Sequence, residues 1–511
     1  MEWKKDLIKK EVIASKEKES QDQGTSTNPL WNSMKDETNY TRTENAALTL
    51  KSTQSKVLDL FSMGGALRTR KQDEVEQMIS QALAEDFNLG LKCLFYLRDI
   101  RGGQGERRTF RTGLDILSKY YPKEAQKIVS LIPEYGRWDD ILSLEGVDIK
   151  NFLLKQISND HDSENPSLLA KWLPSENASS KKTKALARAL RKYLGLSSKN
   201  YRMILSSLRS DLNLVETQMS ENLWNTINYS HVPSKANLKY KSAFMKHDEP
   251  RYTKFLESVE KGEVKINAST LFPYEIIRDV RKGKSDKALD VLWNNLPDYV
   301  RKDDKGIVVA DVSGSMGWSN EGLPMNVSIS LAMYFAERNV GPFANKFITF
   351  SGRPELQDVM GNTLSQKVKN LENAHWQQNT NLQAVFDLIL NTAKQNNVSQ
   401  EDLPKTIYIV SDMEFDSATS SWGEREQTNF EAIKQKYTDA GYEMPVLVFW
   451  NVDSRQKNVP VKQDENGVIL VSGCSPSIFK MVMEKTTPYK FMLKVLNSDR
   501  YKLIEEKING K

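Results

Sequence analysis

Cysteine is nearly absent from this chain: two residues, Cys93 and Cys474, in 511. That excludes a disulfide framework and a cysteine-based zinc site. Histidine is as sparse, with His161, His231, His247 and His375 scattered along the chain, so no histidine-rich metal cluster is expected. No run approaches the ~18 consecutive apolar residues of a membrane span. The opening segment, MEWKKDLIKKEVIASKEKES, has lysines but no continuous apolar core, so it does not read as a signal peptide. A cytoplasmic, reducing setting with no membrane partner is the expectation. The glycine-rich stretch RDIRGGQGERRTFR (98–111) lacks a preceding strand and a Gly-Lys-Ser/Thr ending, which excludes a nucleotide-binding loop. It reads instead as a tight inter-helix turn whose arginines pair with Asp99, Glu106 or the acids of GRWDD (136–140), with RNA contact as the alternative. Nor does the spacing produce a nucleophile–base pair or a paired acid/base site, so no enzyme is expected.

What is present divides into three parts. Residues 1–45 are polar and turn-rich over SQDQGTSTNPLWNSMKDETNYTRTEN, which reads as an arm or linker. Residues 46–300 carry a helical period: EVEQMISQALAEDFNLGLKCLFYLRDI and TKALARALRKYLGL place apolar residues at i, i+3, i+4 and i+7. Short breaks containing proline or glycine separate these segments, a pattern that suggests a stack of helices, although no fixed-period repeat is visible. After residue 300 the period changes. Five β-rich runs (GIVVADV, NKFITFS, KTIYIVSD, PVLVFWN and GVILVSG) alternate with helical patterns, and residues 481–511 read as closing helices. The fold class expected is therefore α + α/β, a helical array followed by a doubly wound α/β domain over 301–511.

Strand ends are where such sheets gather ligands. The first strand runs into Asp311-x-Ser313-x-Ser315, and alternate residues of an extended turn aim one carboxylate and two hydroxyls at a common point. That is a hard-oxygen set suited to Mg²⁺ or another hard divalent cation. Three oxygens do not fill an octahedron. Thr380, before the helix NLQAVFDLIL, and Asp412, after KTIYIV, are candidates to complete it; the bland alternatives are a helix N-cap neighbour and a turn residue. His375, the nearest histidine in sequence, reads as a loop residue.

A second candidate surface comes from charge. Residues 181–300 hold 22 Lys+Arg against 13 Asp+Glu, while the segments on either side are each slightly acidic. Lys181, Lys182, Lys184, Arg188, Arg191 and Lys192 lie on or beside one amphipathic helix, with no acid between 181 and 200. Arg202, Lys235, Lys239, Lys241, Lys246 and Arg251 follow, interleaved with Tyr201, Tyr240 and Tyr252. Lysine and arginine neutralise phosphates, and exposed tyrosines stack on unpaired bases. The alternative is a solvated lysine-rich face with the tyrosines in the core.

The set Asp311, Ser313, Ser315, Thr380 and Asp412 resembles the metal-ion-dependent adhesion site of von Willebrand factor A domains. The resemblance implies that the serines and threonine coordinate the metal, with the aspartates bound directly or through water. It also implies an open position that takes a carboxylate or similar oxygen from a protein ligand. A helical array ahead of such a domain resembles the Ro-type TROVE proteins, RNA-binding rings built from HEAT-like repeats. FPYEIIRDV (272–280) is similar to their junction segment, and the tail with the Gly473-Cys474 pair is similar to their closing elements. Closer still, TENAALTLKST (43–53), LKCLFYLRDIRGGQGERRTFR (91–111), LIPEYGRWDDIL (131–142) and LAKWLPSE (169–176) resemble a TROVE-related family known by a domain-of-unknown-function label. The resemblance implies a non-enzymatic RNA-binding ring or clamp, monomeric, with a metal-dependent domain. The rival is a metal-dependent protein scaffold that binds no RNA.

Overall fold

The computed structural model describes residues 38–284, 286–318, 320–373, 380–417, 427–482 and 485–510. Strand β1 (Tyr40–Arg42) pairs antiparallel with β2 (Leu48–Leu50). The end of the polar segment is therefore not a free arm: Thr43 Oγ1 donates to Phe415 O at 2.7 Å, and Val459 N donates to Leu50 O at 2.9 Å. Helices α1 (Lys56–Met63), α2 (Gln72–Glu85), α3 (Phe87–Arg98) and α4 (Arg107–Tyr120) come next. Side-chain caps begin several of them; Ser55 accepts from Leu58 N, and Asp86 accepts from Leu89 N. Farther along stand α5 (Lys181–Leu194), α6 (Ser198–Asp211), α7 (Ser234–His247), α8 (Glu249–Glu260) and α9 (Pro273–Arg281).

The turn between α3 and α4 has the expected form. A Cβ on Gly103 would lie 1.9 Å from Tyr96 O, so glycine lets the loop close against α3. Its arginines find the acids of 136–140: Arg98 reaches Asp140 at 2.7 Å, and Arg111 reaches Asp140 at 2.6 Å and Asp139 at 2.8 Å.

Beyond residue 300 a six-stranded sheet forms in the order β5-β4-β3-β6-β7-β8. The strands are β3 (Gly306–Asp311), β4 (Lys346–Phe350), β5 (Leu356–Asp358), β6 (Thr406–Ser411), β7 (Val446–Asn451) and β8 (Val468–Ser472). Neighbours are parallel except β5, which runs antiparallel to β4. Five of these strands coincide with the five β-rich runs. The short edge strand β5 is largely exposed and has no apolar alternation to reveal it. Helices α10 (Leu323–Arg338) and α11 (Leu382–Gln395) lie between strands, and α12 (Pro488–Leu496) and α13 (Asp499–Asn509) close the chain.

Strand β3 is buried on both faces, which is why it reads as an unbroken apolar run. Val308 and Ala310 point into a core continuous with that of the helical region. Ile307 and Val309 point the other way, onto a second core with Leu382, Val385 and Phe386 of α11. Both ends of the helical region rest on the α/β unit. Helix α1 packs against β8 and α12, α3 against α13, and α9 against α10.

The chain just past α1 meets the end of β8 closely enough to test. A Cβ on Gly65 would sit 2.8 Å from both Gly473 Cα and Ser472 O, all backbone that side-chain rotation cannot relieve. Gly65→Ala is expected to cost about 1–3 kcal/mol, seen as a lowered urea midpoint at unchanged m-value. A midpoint equal to wild type would show that the two backbones separate freely.

Candidate metal centre at the strand ends

Parallel pairing of β3 with β6 puts Ala310 opposite Val410, so the residues after each strand emerge side by side. Asp311 is fully buried there. One carboxylate oxygen accepts Ser313 N at 2.9 Å, and the other accepts Ser411 Oγ at 2.6 Å. The chain then enters a single helical turn, Gly314–Trp318. Ser313 Oγ lies 3.1 Å from Ser315 Oγ, and Ser315 Oγ donates to Asp412 Oδ2 at 2.8 Å. Thr380 directly precedes Asn381, the residue that caps α11. Its hydroxyl donates to Glu414 O at 2.9 Å and accepts from Asn45 Nδ2 at 2.9 Å. Ser313, Ser315 and Thr380 line one open hollow of about 700 Å³ together with Asn45, Gly314, Trp318 and Arg455. His375, Gln378 and Asn379 lie outside the described residues.

Asp311 is the electrostatically strained member of the site. Burial, and then the charge of Asp412, push the Asp311 carboxyl up to about 7. Glu414, two residues after Asp412, is also raised by burial. Met413 between them holds φ at 66°, in the left-handed region that non-glycine residues rarely adopt. Among the described residues, no group of three or more His, Cys, Asp or Glu could hold a metal. A cation here would depend on the hydroxyls. Ser313, Ser315 and Asp412 are joined by hydrogen bonds and Thr380 shares their hollow; hydroxyls and carboxylates of this kind are the donors a hard divalent ion takes.

Four residues near the centre were invisible to spacing. Ser411 supports Asp311. Asn45 caps Thr380 from the N-terminal segment. Glu414 Oε2 accepts Glu44 N at 2.6 Å. Arg455 Nη2 donates to Asp412 Oδ2 at 2.7 Å, and its Nη1 lies 2.9 Å from Glu44 Oε2. Burial alone would lower the Arg455 guanidinium, but Asp412 and Glu44 hold it above its ordinary value. The signals that touch Asn45 and Arg455 are the idiosyncratic strings around TENAALTLKST and the long tail after β7, while Ser411 and Glu414 flank Asp412 in sequence.

The basic region is less uniform than its composition. Lys181, Lys182, Arg188 and Lys192 are exposed on α5, and Lys184 is half-buried. Arg191 turns inward to Glu176 at 2.9 Å and to Leu196 O at 2.8 Å. Arg202 and Lys246 are exposed; Lys235 is exposed but pairs with Glu275 at 3.1 Å. Lys239 stands 4.8 Å over the ring of half-buried Tyr240. Arg251 is held by Asp248 and by the carbonyls of Trp224 and Ile227.

Two candidates are corrected outright. Tyr252 is fully buried with its hydroxyl on Asn237 Oδ1 at 2.7 Å, so it has no face for a base. Lys241 is buried with its amine 2.7 Å from Asp286, so its charge is already matched. Tyr201, read with them, is likewise core, donating to Pro174 O at 2.8 Å.

Comparison with known proteins places most of the chain. Residues 43–137 and 148–307 match the model of a domain of unknown function, DUF2828, and residues 305–506 match that of a second, DUF7788. "Uncharacterized protein L728" of Acanthamoeba polyphaga mimivirus is 30% identical over 514 residues, covering 90% of this chain and 87% of its own length. The chain belongs to this DUF2828/DUF7788 family. Among the described residues of this family member, no helix is long and apolar enough to cross a membrane.

Proposed function

We propose that this DUF2828/DUF7788 protein is a non-enzymatic RNA-binding clamp or ring whose von Willebrand A-like α/β unit holds a hard divalent cation, Mg²⁺ foremost. One observation carries the metal half: Ser315 Oγ lies within hydrogen-bond range of both Ser313 and Asp412, on the hollow that Thr380 also lines. Ser313, Ser315, Thr380 and Asp412 would hold the ion, with Asp311 behind them. The ion would supply an open position for an oxygen ligand. This chain's own residues orient that position and leave it open on the side of Trp318.

Ring closure is supported by the contacts of α1 and α9, which bring both ends of the helical region onto the α/β unit. RNA binding is supported by Lys181, Lys182, Arg188 and Lys192, exposed on α5 in a stretch of sequence with no acid between 181 and 200. Lys182, Arg188 and Lys192 reversed to glutamate together should weaken retention of single-stranded RNA and flatten the plot of log affinity against log salt by about 0.7 per lost phosphate contact. The assay is filter binding from low to physiological salt. No affinity of wild type at low salt would end the RNA reading.

A second reading, a metal-dependent protein scaffold without RNA, is favoured by Trp318. This ring is 92% exposed and borders the hollow. Exposed tryptophans anchor protein interfaces, and one beside a metal suits a polypeptide that offers a carboxylate. Partner binding abolished by EDTA would favour the scaffold, whereas salt-sensitive, EDTA-resistant RNA binding favours the clamp.

A further inference from the structure

We infer that Arg455 is a tethered cation that competes with the metal ion for Asp412, and that metal binding thereby loosens the N-terminal segment over residues 43–47. The inference rests on the metal reading proposed above.

Two candidate ligand atoms come from outside the Asp-x-Ser-x-Ser turn. Asp412 Oδ2 is the oxygen shared with Ser315, and the Arg455 guanidinium sits on it at 2.7 Å. The other oxygen, Oδ1, is engaged by Glu414 N at 3.2 Å. Thr380 Oγ1 accepts from the Asn45 amide at 2.9 Å, which occupies one of the hydroxyl's two lone pairs. A divalent ion in the turn would repel the guanidinium and take Asp412 Oδ2 for itself. The guanidinium must therefore yield, while the Asn45 amide can keep its place on the hydroxyl.

Both donors are also tied to one segment. Asn45 belongs to it, and Asn45 Nδ2 further holds Glu414 O at 2.7 Å. Arg455 is tied through Glu44, whose carboxylate also accepts from Gln456 Nε2 at 3.1 Å and whose backbone N–H donates to Glu414 Oε2. Arg455 is a quarter exposed, unlike the buried Asp412 beneath it, so it has room to move. Glu44 gives the displaced guanidinium a partner on the solvent side, so the exchange leaves no bare charge behind. The segment's remaining ties, Thr43 Oγ1 to Phe415 O and the bridge between Ala46 and Asp416, lie on the loop that carries Asp412 and Glu414.

The test uses the full chain and Mn²⁺, followed by electron paramagnetic resonance, with amide exchange read at residues 43–47. Arg455→Met should bind Mn²⁺ at least tenfold more tightly than wild type, and Arg455→Lys, which keeps the charge, should return towards wild type. Ser315→Ala should weaken binding in both backgrounds. Saturating Mn²⁺ should speed exchange at residues 43–47 in wild type and change it little in Arg455→Met. If Arg455→Met does not fold, the exchange experiment on wild type decides alone. Equal or weaker Mn²⁺ binding by folded Arg455→Met, with Ser315→Ala still deficient, overturns the competition and leaves the metal site standing. Absence of Mn²⁺ binding in wild type and Arg455→Met alike overturns both. Unchanged exchange at residues 43–47 on saturation of wild type removes the coupling.

Discussion

Asp140→Ala is expected to cost this protein about 3–5 kcal/mol of stability, because it strips a buried ion network of its centre. Asp140 is fully buried and accepts from three directions: Arg98 at 2.7 Å, Arg111 at 2.6 Å and Arg137 N at 2.9 Å. The Arg98 side chain is 3% exposed and has no route to water. Without the carboxylate its charge remains buried with no partner, which is far more costly than loss of the contact itself. The packing is tight enough to demand glycine beside it: a Cβ on Gly136 would lie 2.6 Å from Asp140 Oδ2 and 2.9 Å from Arg98 Nε. Arg111→Ala is the contrasting variant. Its side chain is one-third exposed, so its removal should cost about 1 kcal/mol or less. Urea unfolding of the two variants checks the ordering, and an Asp140→Ala loss under 1 kcal/mol would mean that water reaches Arg98.

Local order in the sequence made some of this legible. Asp311, Ser313 and Ser315 are alternate residues of one segment, and Asp412 follows a buried β run, so strand position alone puts them in the same crevice. The turn at 98–111 was legible for a similar reason, since its arginines and the acids of GRWDD are close in sequence. Asn45 was not: it meets Thr380 across 335 residues, and spacing carries no information about such a meeting. Arg455 and Glu44 were hidden in the same way. The burial of the tyrosines, by contrast, was there to be read. Tyr201, Leu205 and Leu208 stand at i, i+4 and i+7, as do Tyr252, Leu256 and Val259, and each trio is a buried helix stripe. Helical period outranks the alternation of lysine and tyrosine along the chain. Lys241 shares the inward face of α7 with Leu238 and Phe244, and its acids come from the segment around α9 that sequence order does not bring near.

Asp311→Asn is expected to abolish divalent-metal binding, by at least a hundredfold in Mn²⁺ or Mg²⁺ affinity, while leaving the fold and most of the stability in place. The two effects separate because the carboxylate has two jobs. As a scaffold, it accepts from Ser313 N and Ser411 Oγ, and the asparagine oxygen can keep one of these bonds. As a charge it is costly in the apo protein, since it is wholly buried and faces Asp412. Neutralising it removes that cost and offsets the lost bond, which is worth about 1 kcal/mol. For the cation the change is one-sided: the negative charge that would balance it is gone, and Asp412 is left shared with Arg455. Asp311→Ala should lose metal equally and be less stable than Asp311→Asn, because both donors then lack an acceptor, at about 1–3 kcal/mol each. Calorimetric titration with Mg²⁺ and Mn²⁺, alongside urea unfolding of the three proteins, reads both effects. Undiminished affinity in Asp311→Asn would place any bound metal elsewhere on the chain. A variant that bound no metal because it failed to fold would be exposed by the unfolding curve, and the Ser315→Ala protein, whose substitution lies in the half-exposed turn above, would then decide.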